Sequence, residues 1–315
     1  MIPKESPIKS SIRGYNLSNE IFFLDLASSF STTSPLYVDL PEMSYGSEKG
    51  TAVFGGPTKN DVYLVGGVFQ NLTLLNQIDH NVTITLNQTL MLNELLNTWN
   101  VTDKHIFIYR PTTKNWIIPD VQGEKPPIRR RSTSTVIDQN GKIYMFGGRA
   151  QIDTGSLTFI CFNDLYTYDT SISKWNKINA EKAPLPQSHS TATLLPNGKI
   201  LYIGGVYQNS PGEVALQIDM NNIATLSIPI QARVGHTATL TPDNNKIIII
   251  GGTTSYVLGQ TTAYPVFVSL DITTEPYTYS ELNVSGVQPP PLAYHTVTPY
   301  QNYMIVAFGN YITYF

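Results

Sequence analysis

The segment LYIGG at residues 201–205 decides the fold, because close copies of it recur along the chain. Each copy is a short apolar stretch, which predicts a β-strand, followed by a pair of glycines. A fifth copy, IVAFGN, has Gly309 as its first glycine and Asn310 in place of the second, and Asn tolerates a left-handed backbone better than other non-glycine residues. The first glycines are 81, 57, 47 and 58 residues apart, which indicates a repeated unit. The four complete pairs are Gly66 and Gly67, Gly147 and Gly148, Gly204 and Gly205, and Gly251 and Gly252.

A second predicted strand precedes each glycine strand at a nearly constant distance. Thr, Val and Ile dominate these segments, as is typical of β-strands. Tight-turn sequences, two of which contain Asn-Gly, join the two strands. The residues 15 positions before the first glycine, or 14 in the last copy, are Thr51, Ser132, His189, His236 and His295.

Two further strands complete each unit. The segments IFFLDL, HIFIYR, DLYTYD, ALQIDM and FVSLDI predict a third strand, and a fourth opens at Trp116, Trp175, Thr225 or Tyr277. Each unit is therefore predicted to be a four-stranded antiparallel meander. A meander cannot bury both of its apolar faces alone, so we expect several to stack radially in one all-β domain over residues 1–315.

This combination resembles the kelch β-propeller family, whose superfamily includes the central domain of galactose oxidase. The resemblance covers nearly the whole chain and rests on the Gly-Gly strands, on Tyr166-x-x-Asp169 followed by Trp175, and on Arg233-x-x-His236. It implies that the strand before each Gly-Gly strand lies innermost. It also implies structural roles for the glycine pairs, Gly309, Trp116, Trp175, His189, His236 and His295.

The number of blades has two interpretations. IKSSIRG, which ends at Gly14, can be a degenerate glycine strand, and YITYF can begin a final outer strand. This favours six blades, of which the first and last are incomplete. In the alternative, a five-bladed ring, residues 21–40 complete the blade that residues 294–309 begin. We predict six blades.

Composition and charge exclude several classes of protein. The net charge of −3 argues against a nucleic-acid-binding surface. The single cysteine, Cys161, allows neither a disulfide framework nor a thiolate metal cage. No apolar run approaches the roughly 20 residues of a membrane helix. The N-terminus has no apolar secretion-signal core, so we expect a cytoplasmic location if the chain is complete, and a secreted or cell-surface location if a signal peptide precedes it.

Loop lengths predict one binding face. Strands of a meander alternate in direction, so the loops after the Gly-Gly strands and those between blades emerge together. They are long, at residues 68–104, 120–131, 149–163, 206–213, 253–264 and 283–293, and long loops on a rigid scaffold commonly carry function. Arginines at a propeller mouth can pair with carboxylates or phosphates, although one arginine in each cluster can instead make structural contacts. The candidate binding residues are Arg129, Arg130, Arg149, Arg233 and Tyr207.

Residues 68–104 form the longest loop insertion. Its segment LNQTLMLNELLNTW fits either a short amphipathic helix or a β extension. The insertion either packs on its own blade or acts as a partner-binding flap. Four N-glycosylation sequons cluster in it, at Asn71, Asn81, Asn87 and Asn100.

The sequence shows no catalytic constellation. His189, His236 and His295 in matching positions would permit a metal site, but a repeated structural task explains them better, and we predict no metal and no cofactor. Galactose oxidase needs a thioether-linked cysteine and further copper ligands, whereas Cys161 is predicted to be a packed thiol. We therefore predict a non-enzymatic propeller that binds a protein or peptide partner through its long-loop face. The alternative is a carbohydrate-active or galactose-oxidase-like copper enzyme.

Overall fold

The computed structural model describes residues 18–27, 29, 31, 33–71, 105–151, 159–210, 213–216, 224–226, 229–255 and 260–312. Every regular element in these ranges is a β-strand. Accordingly, the described part of the chain has no helix long and apolar enough to span a membrane.

The strands are short, and most contain four or five residues. Up to residue 71 they are β1 (Ile21–Leu24), β2 (Tyr37–Leu40), β3 (Tyr45–Glu48), β4 (Thr51–Gly55), β5 (Asp61–Val65) and β6 (Val68–Asn71). From residue 105 to 151 they are β7 (Ile106–Arg110), β8 (Asn115–Ile117), β9 (Gln122–Gly123), β10 (Ser134–Ile137), β11 (Lys142–Phe146) and β12 (Arg149–Gln151). From residue 159 to 216 they are β13 (Phe159–Cys161), β14 (Leu165–Asp169), β15 (Lys174–Ile178), β16 (Gln187–Ser188), β17 (Thr191–Leu194), β18 (Ile200–Ile203), β19 (Val206–Ser210) and β20 (Glu213–Leu216). The last nine are β21 (Ala224–Leu226), β22 (Thr237–Leu240), β23 (Lys246–Ile250), β24 (Phe267–Asp271), β25 (Tyr277–Glu281), β26 (Leu292–Ala293), β27 (Thr296–Tyr300), β28 (Tyr303–Ala307) and β29 (Asn310–Tyr311).

The predicted meander appears in full three times among the described residues. The three meanders are β4-β5-β7-β8, β10-β11-β14-β15 and β22-β23-β24-β25, whereas β17-β18 and β27-β28 are inner pairs. The inner strands β4, β10, β17, β22 and β27 lie side by side in chain order. Apolar side chains of adjacent blades share buried clusters, and one such cluster joins Val65 of β5 to Trp175 of β15. The fold is the β-propeller that the sequence predicts.

The glycine pairs turn the chain at the end of each second strand. Both glycines have positive φ in the first four copies, for example 61° at Gly204 and 95° at Gly205. In the fifth copy the same angles, 62° and 94°, belong to Phe308 and Gly309. The predicted alignment is therefore wrong by one residue, since Gly309 is the second member of its pair and Asn310 begins β29. This register is not evident from the sequence, because the first position of the pair is a phenylalanine and not a glycine.

Strand pairing also corrects the alignment of the histidines. His236 and His295 directly precede their inner strands, as Ser190 does in the third blade. His189 lies one position earlier in the repeat, so the prediction that all three histidines match is wrong. The alignment by distance to the glycines was wrong because the segment between the last paired residues is one residue longer in the blade with Leu240 and Ile247 than in the blade with Leu194 and Ile200.

The third blade departs from the predicted meander. The sequence predicts ALQIDM at residues 215–220 as its third strand, but Ala215 and Leu216 belong to β20, which pairs with β19. The strand that contains Thr225, β21, pairs in parallel with β25 of the following blade. β9 pairs in the same way with β15. The segments that link blades therefore cover part of the outer edge of the next blade.

The N-terminal hairpin of β1 and β2 lies against the last blade. The rings of Phe22 and Tyr37 contact Phe308, with centroid separations of 5.7 and 6.2 Å. A five-bladed ring would require this contact. The degenerate strand at residues 8–14 lies outside the described residues, and of YITYF, Tyr311 belongs to β29, which pairs with β26. The number of blades stays a prediction.

Candidate functional site

Short paired strands cover one face of the propeller. After the glycine turn, β6, β12, β19 and β29 each pair with the segment just before the inner strand of the same blade. The described residues of the loops predicted at 149–163 and 206–213 are thus mostly in strands, with β12 paired to β13 and β19 to β20. The loop predicted from Val68 likewise begins with β6. We call this surface the hairpin face. The turns that join each inner strand to the following glycine strand lie on the opposite face.

Large apolar side chains are exposed on the hairpin face. Leu185 is 51% exposed, Tyr264 45% and Tyr311 71%. They come from three different blades or the links between them. Apolar and aromatic side chains of this kind form the centre of protein–protein interfaces.

The candidate Arg130 is buried inside its blade. Its side chain is 2% exposed and forms an ion pair with Asp164. Nη1 also donates to the carbonyl oxygen of Gly147 at 3.2 Å, and the guanidinium lies 3.8 Å from the centroid of the Phe162 ring. The charge of Arg130 is therefore neutralised within the fold, which favours the structural alternative.

Arg233 repeats this arrangement without the carboxylate. Its Nε donates to the carbonyl oxygen of Gln231 at 3.2 Å, and its Nη1 to that of Gly251 at 3.0 Å. Val266 stands where Asp164 stands beside Arg130, since the two backbone carbonyls accept equivalent bonds from the glycine turns. Burial lowers the pKa of Arg233 to about 10. Arg233 is 3% exposed, so it too faces the interior of its blade.

Arg129 and Tyr207 are half-buried on the hairpin face. The guanidinium of Arg129 lies 5.7 Å from the centroid of the Phe69 ring. Tyr207 lies in β19, between Gln187 of β16 and Ala215 of β20. Their role in binding stays a prediction.

A series of left-handed residues lies at the starts of the inner strands on the hairpin face. The amide of Ser132 donates to the carbonyl of Lys49 at 2.9 Å, and that of His189 to the carbonyl of Ser132 at 3.0 Å. Tyr294 donates in the same way to Gly235 at 2.7 Å. Each residue stands two positions before an inner strand and has φ between 55° and 67°. We call these five residues, Lys49, Ser132, His189, Gly235 and Tyr294, the axial ring.

Three basic side chains, Lys49, Arg131 and Arg149, form a group beside this ring that we call the axial mouth. Arg131 and Arg149 exchange two backbone hydrogen bonds of 3.0 Å, so their side chains project from the same face of the small sheet. Arg149 is 8% exposed and stacks 4.5 Å from the centroid of the Phe159 ring. Burial, and then the charge of Arg131, lower the pKa of Arg149 to about 10. Burial and the charges of all three basic groups lower the pKa of His189 to about 3.

The sequence analysis predicted Arg149 at this site and did not single out Lys49, Arg131 or Tyr294. Lys49, Arg131 and Tyr294 differ in residue type but lie at similar places in the repeat, since each stands two or three residues before an inner strand. The signal that could have found them is Gly235 in Val-Gly-His, which marks the left-handed position of the ring.

The three candidate histidines join neighbouring blades. Nε2 of His189 lies 2.9 Å from Oγ of Ser132 in the preceding blade. The corresponding distances are 3.2 Å from His236 to Oγ1 of Thr191 and 3.1 Å from His295 to Oγ1 of Thr237. Within the described ranges, no group of three or more His, Cys, Asp or Glu side chains is arranged to hold a metal ion.

We expect acid to destabilise the protein through these histidines. Burial lowers the pKa of His236 from 6.5 to about 3, so between these pH values the unfolded chain binds one proton more than the folded chain. The stability from neutral His236 is present above pH 6.5 and falls by about 1.4 kcal/mol per pH unit as the pH decreases. Urea unfolding at pH 7 and pH 5 should show a smaller loss of stability for His236→Gln than for the parent. Equal losses would contradict this assignment.

Cys161 and the sequons complete the set of predicted residues. Sγ of Cys161 lies 3.7 Å from Oγ of Ser188, and burial raises the pKa of the thiol. Asn71 ends β6 opposite Tyr45. Asn81, Asn87, Asn100 and the LNQTLMLNELLNTW segment lie outside the described residues, so glycosylation stays a prediction.

Known proteins resemble this chain over limited parts of their length. Host cell factor 1 from Homo sapiens is 25% identical over 233 residues, which cover 66% of this chain and 11% of that protein. N-acetylneuraminate epimerase 1 from Escherichia coli O6:H1 is 33% identical over 105 residues, which cover 30% of this chain and 27% of the epimerase. The chain thus spans less than a third of the length of either curated relative.

Structure and family comparisons agree on the fold. A solved structure of YjhT matches with a TM-score of 0.50 and 16% identity, covers 78% of this chain and 72% of that one, and shows a shared fold. A family model of the Attractin/LZTR1 β-propeller matches residues 90–314, well over half of the chain. The predicted kelch-type propeller is thereby confirmed. The protein belongs to the Attractin/LZTR1 β-propeller family.

Proposed function

We propose that this protein is a non-enzymatic binding module that holds a protein partner on its hairpin face. The observation that carries the proposal is the set of paired strands that build this face on four of the described blades, with isolated bridges in the same place on the blade of β22–β25. Paired strands are more rigid than the loops expected from the sequence, so the described part of this surface is formed before a partner arrives, which limits the entropic cost of binding.

Side-chain exposure supports the same surface. Leu185, Tyr264 and Tyr311 supply exposed apolar area, and the axial mouth supplies positive charge beside it. Of the predicted arginines, Arg130 and Arg233 stabilise their own blades, so any direct contact with a partner falls to Arg149 and Arg129. The kelch-type propeller is a fold that proteins commonly use for protein interaction.

The test compares two pairs of exposed apolar residues on opposite faces. Leu185→Ser/Tyr311→Ser alters the hairpin face, whereas Phe54→Ser/Tyr303→Ser alters residues that are 59% and 68% exposed near the opposite turns. We expect extract proteins retained by the immobilised parent to decrease about tenfold or more on the hairpin-face variant and to stay unchanged on the control. The proposal fails if the parent retains no protein specifically, or if only the control variant loses it.

A sugar-acting enzyme is the second candidate function, because of the 33% identity to N-acetylneuraminate epimerase 1 over 105 residues. Epimerisation of N-acetylneuraminate can be followed by proton NMR with and without the protein. A rate that increases in proportion to protein concentration would favour the enzyme. A rate equal to the buffer blank would favour the binding module. Copper-dependent production of hydrogen peroxide from sugars tests the galactose-oxidase-like alternative in the same samples.

A further inference from the structure

We propose that Asn197 is a site of spontaneous deamidation, at which the backbone nitrogen of Gly198 attacks the side-chain amide and a carboxylate results. The inference goes beyond the proposed function and does not depend on it, because this turn lies on the face opposite to the hairpin face. The two Asn-Gly sequences of the chain both lie in turns between an inner strand and a glycine strand. Their surroundings leave only one of them open to this reaction.

The two turns match in local sequence and in backbone geometry. Both read Asn-Gly-Lys-Ile, at residues 140–143 and 197–200. The amide of each glycine donates to the carbonyl oxygen three positions earlier, at 3.0 Å for Gly141 and 2.9 Å for Gly198. The φ angles of these glycines are 78° and 81°. The two asparagines should therefore have similar intrinsic reactivity, and a difference in rate must come from the packing of each turn.

Packing around the two glycines differs. Gly141 is buried, and its carbonyl oxygen accepts hydrogen bonds from Oγ1 of Thr170 at 2.6 Å and from the amide of Thr170 at 3.2 Å. A Cβ atom built on Gly141 would lie 2.6 Å from the same Oγ1, whereas one on Gly198 would meet nothing within 4 Å. Ring closure through the glycine nitrogen requires the turn to open locally and change its backbone angles. Thr170 opposes this change at Gly141, and the exposed turn of Gly198 meets no such contact.

A hydrogen bond also prepares the side chain of Asn197. Its Oδ1 accepts from the amide of Lys199 at 3.1 Å, which holds the carboxamide over the backbone of the turn. The same bond draws electron density from Cγ, the atom that the nitrogen attacks. In the other turn the amide of Lys142 donates instead to Oδ1 of Asp138, at 2.9 Å.

The reaction consumes one water molecule and releases one ammonia, with no oxidation or reduction. The Gly198 nitrogen loses its proton to solvent and forms a bond to Cγ of Asn197. The bond from Cγ to Nδ2 breaks, and ammonia leaves with a proton from water. Water then opens the cyclic imide at either carbonyl, which gives aspartate or isoaspartate at position 197. The net charge of −3 becomes one unit more negative, two residues from Lys199 and its ion pair with Glu275.

Incubation of the intact protein in mildly alkaline buffer tests the proposal, with peptide mapping by mass spectrometry at both sites. We expect aspartate and isoaspartate to accumulate about tenfold or more faster at Asn197 than at Asn140. In urea, where the packing is lost, the two rates should be similar. Thr170→Val removes the hydroxyl group from Gly141 and should increase the rate at Asn140 without changing that at Asn197. Gly198→Ala should slow the reaction at Asn197, because its Cβ atom hinders the attacking nitrogen.

Equal rates at the two sites of the folded protein, or a faster reaction at Asn140, would overturn the inference. So would the absence of product at Asn197 under conditions in which the chain in urea reacts at both sites. Retention of a protein partner on the hairpin face should be the same before and after the incubation. Loss of partner binding in the Leu185→Ser/Tyr311→Ser variant thus tests the proposed function separately.

Discussion

Replacement of Gly205 with alanine is expected to lower the free energy of unfolding by about 3 kcal/mol or more. Gly205 has φ of 95°, a conformation that costs energy for any residue with a Cβ atom. A Cβ atom built there would lie 2.7 Å from the carbonyl oxygen of Ser188 and 2.7 Å from the amide nitrogen of Ser190. Both are backbone atoms beside the inner strand, so neither can move without disturbing the blade.

The matched control is Gly198→Ala. Gly198 also has a positive φ, of 81°, but a Cβ atom there would meet nothing within 4 Å. Only the conformational cost of about 1–2 kcal/mol is expected at this site. Urea unfolding of both variants separates the backbone conformation from the steric contact. If the two substitutions cost the same, close packing does not explain the second glycine of the repeat.

Replacement of Trp175 with alanine is expected to cost about 3–5 kcal/mol. The indole is 0% exposed and its ring centroid lies 5.1 Å from that of Tyr168. It shares a buried cluster with Val65 and Ile108 of the preceding blade, so its removal would leave a cavity between two blades. The expected result is a large decrease in the urea midpoint.

Trp116→Ala provides the comparison for this variant. Trp116 occupies the equivalent position one blade earlier, since it pairs with Tyr109 as Trp175 pairs with Tyr168. It is half-buried, and its Nε1 donates to the carbonyl oxygen of Pro41 at 2.9 Å. We expect a loss of about 1–2 kcal/mol, because less apolar area is buried. A loss as large as that of Trp175→Ala would contradict the packing explanation.

The sequence was sufficient to predict the first two strands of each blade, since apolar runs that end in glycine reflect a local requirement. The predictions from the sequence were wrong where the place of a residue in the blade depends on pairing with another strand. The position of His189 in the repeat depends on the length of a turn. Phe308 adopts a left-handed conformation that the sequence pattern assigned to glycine. The strands β6, β12 and β19 appeared to be loops, because their partners are short segments remote in sequence.

The candidate site was predictable only in part for a related reason. Arg129, Arg130 and Arg149 were predicted from the sequence as candidate binding residues, but the direction of each side chain depends on strand register. One position of difference turns Arg130 inward to Asp164 and leaves Arg131 beside Arg149. The axial ring needs residues from five blades, which only the side-by-side arrangement of the inner strands brings together.

The linking strands β9 and β21 affect how the molecule behaves in a crowded solution. The outermost strand of a sheet presents unpaired amide and carbonyl groups, to which a strand of another molecule can add. At β15 and β25 part of that edge is already occupied by the chain arriving from the preceding blade. A foreign strand would have to displace this segment before it could pair. The links therefore protect the propeller against edge-to-edge aggregation.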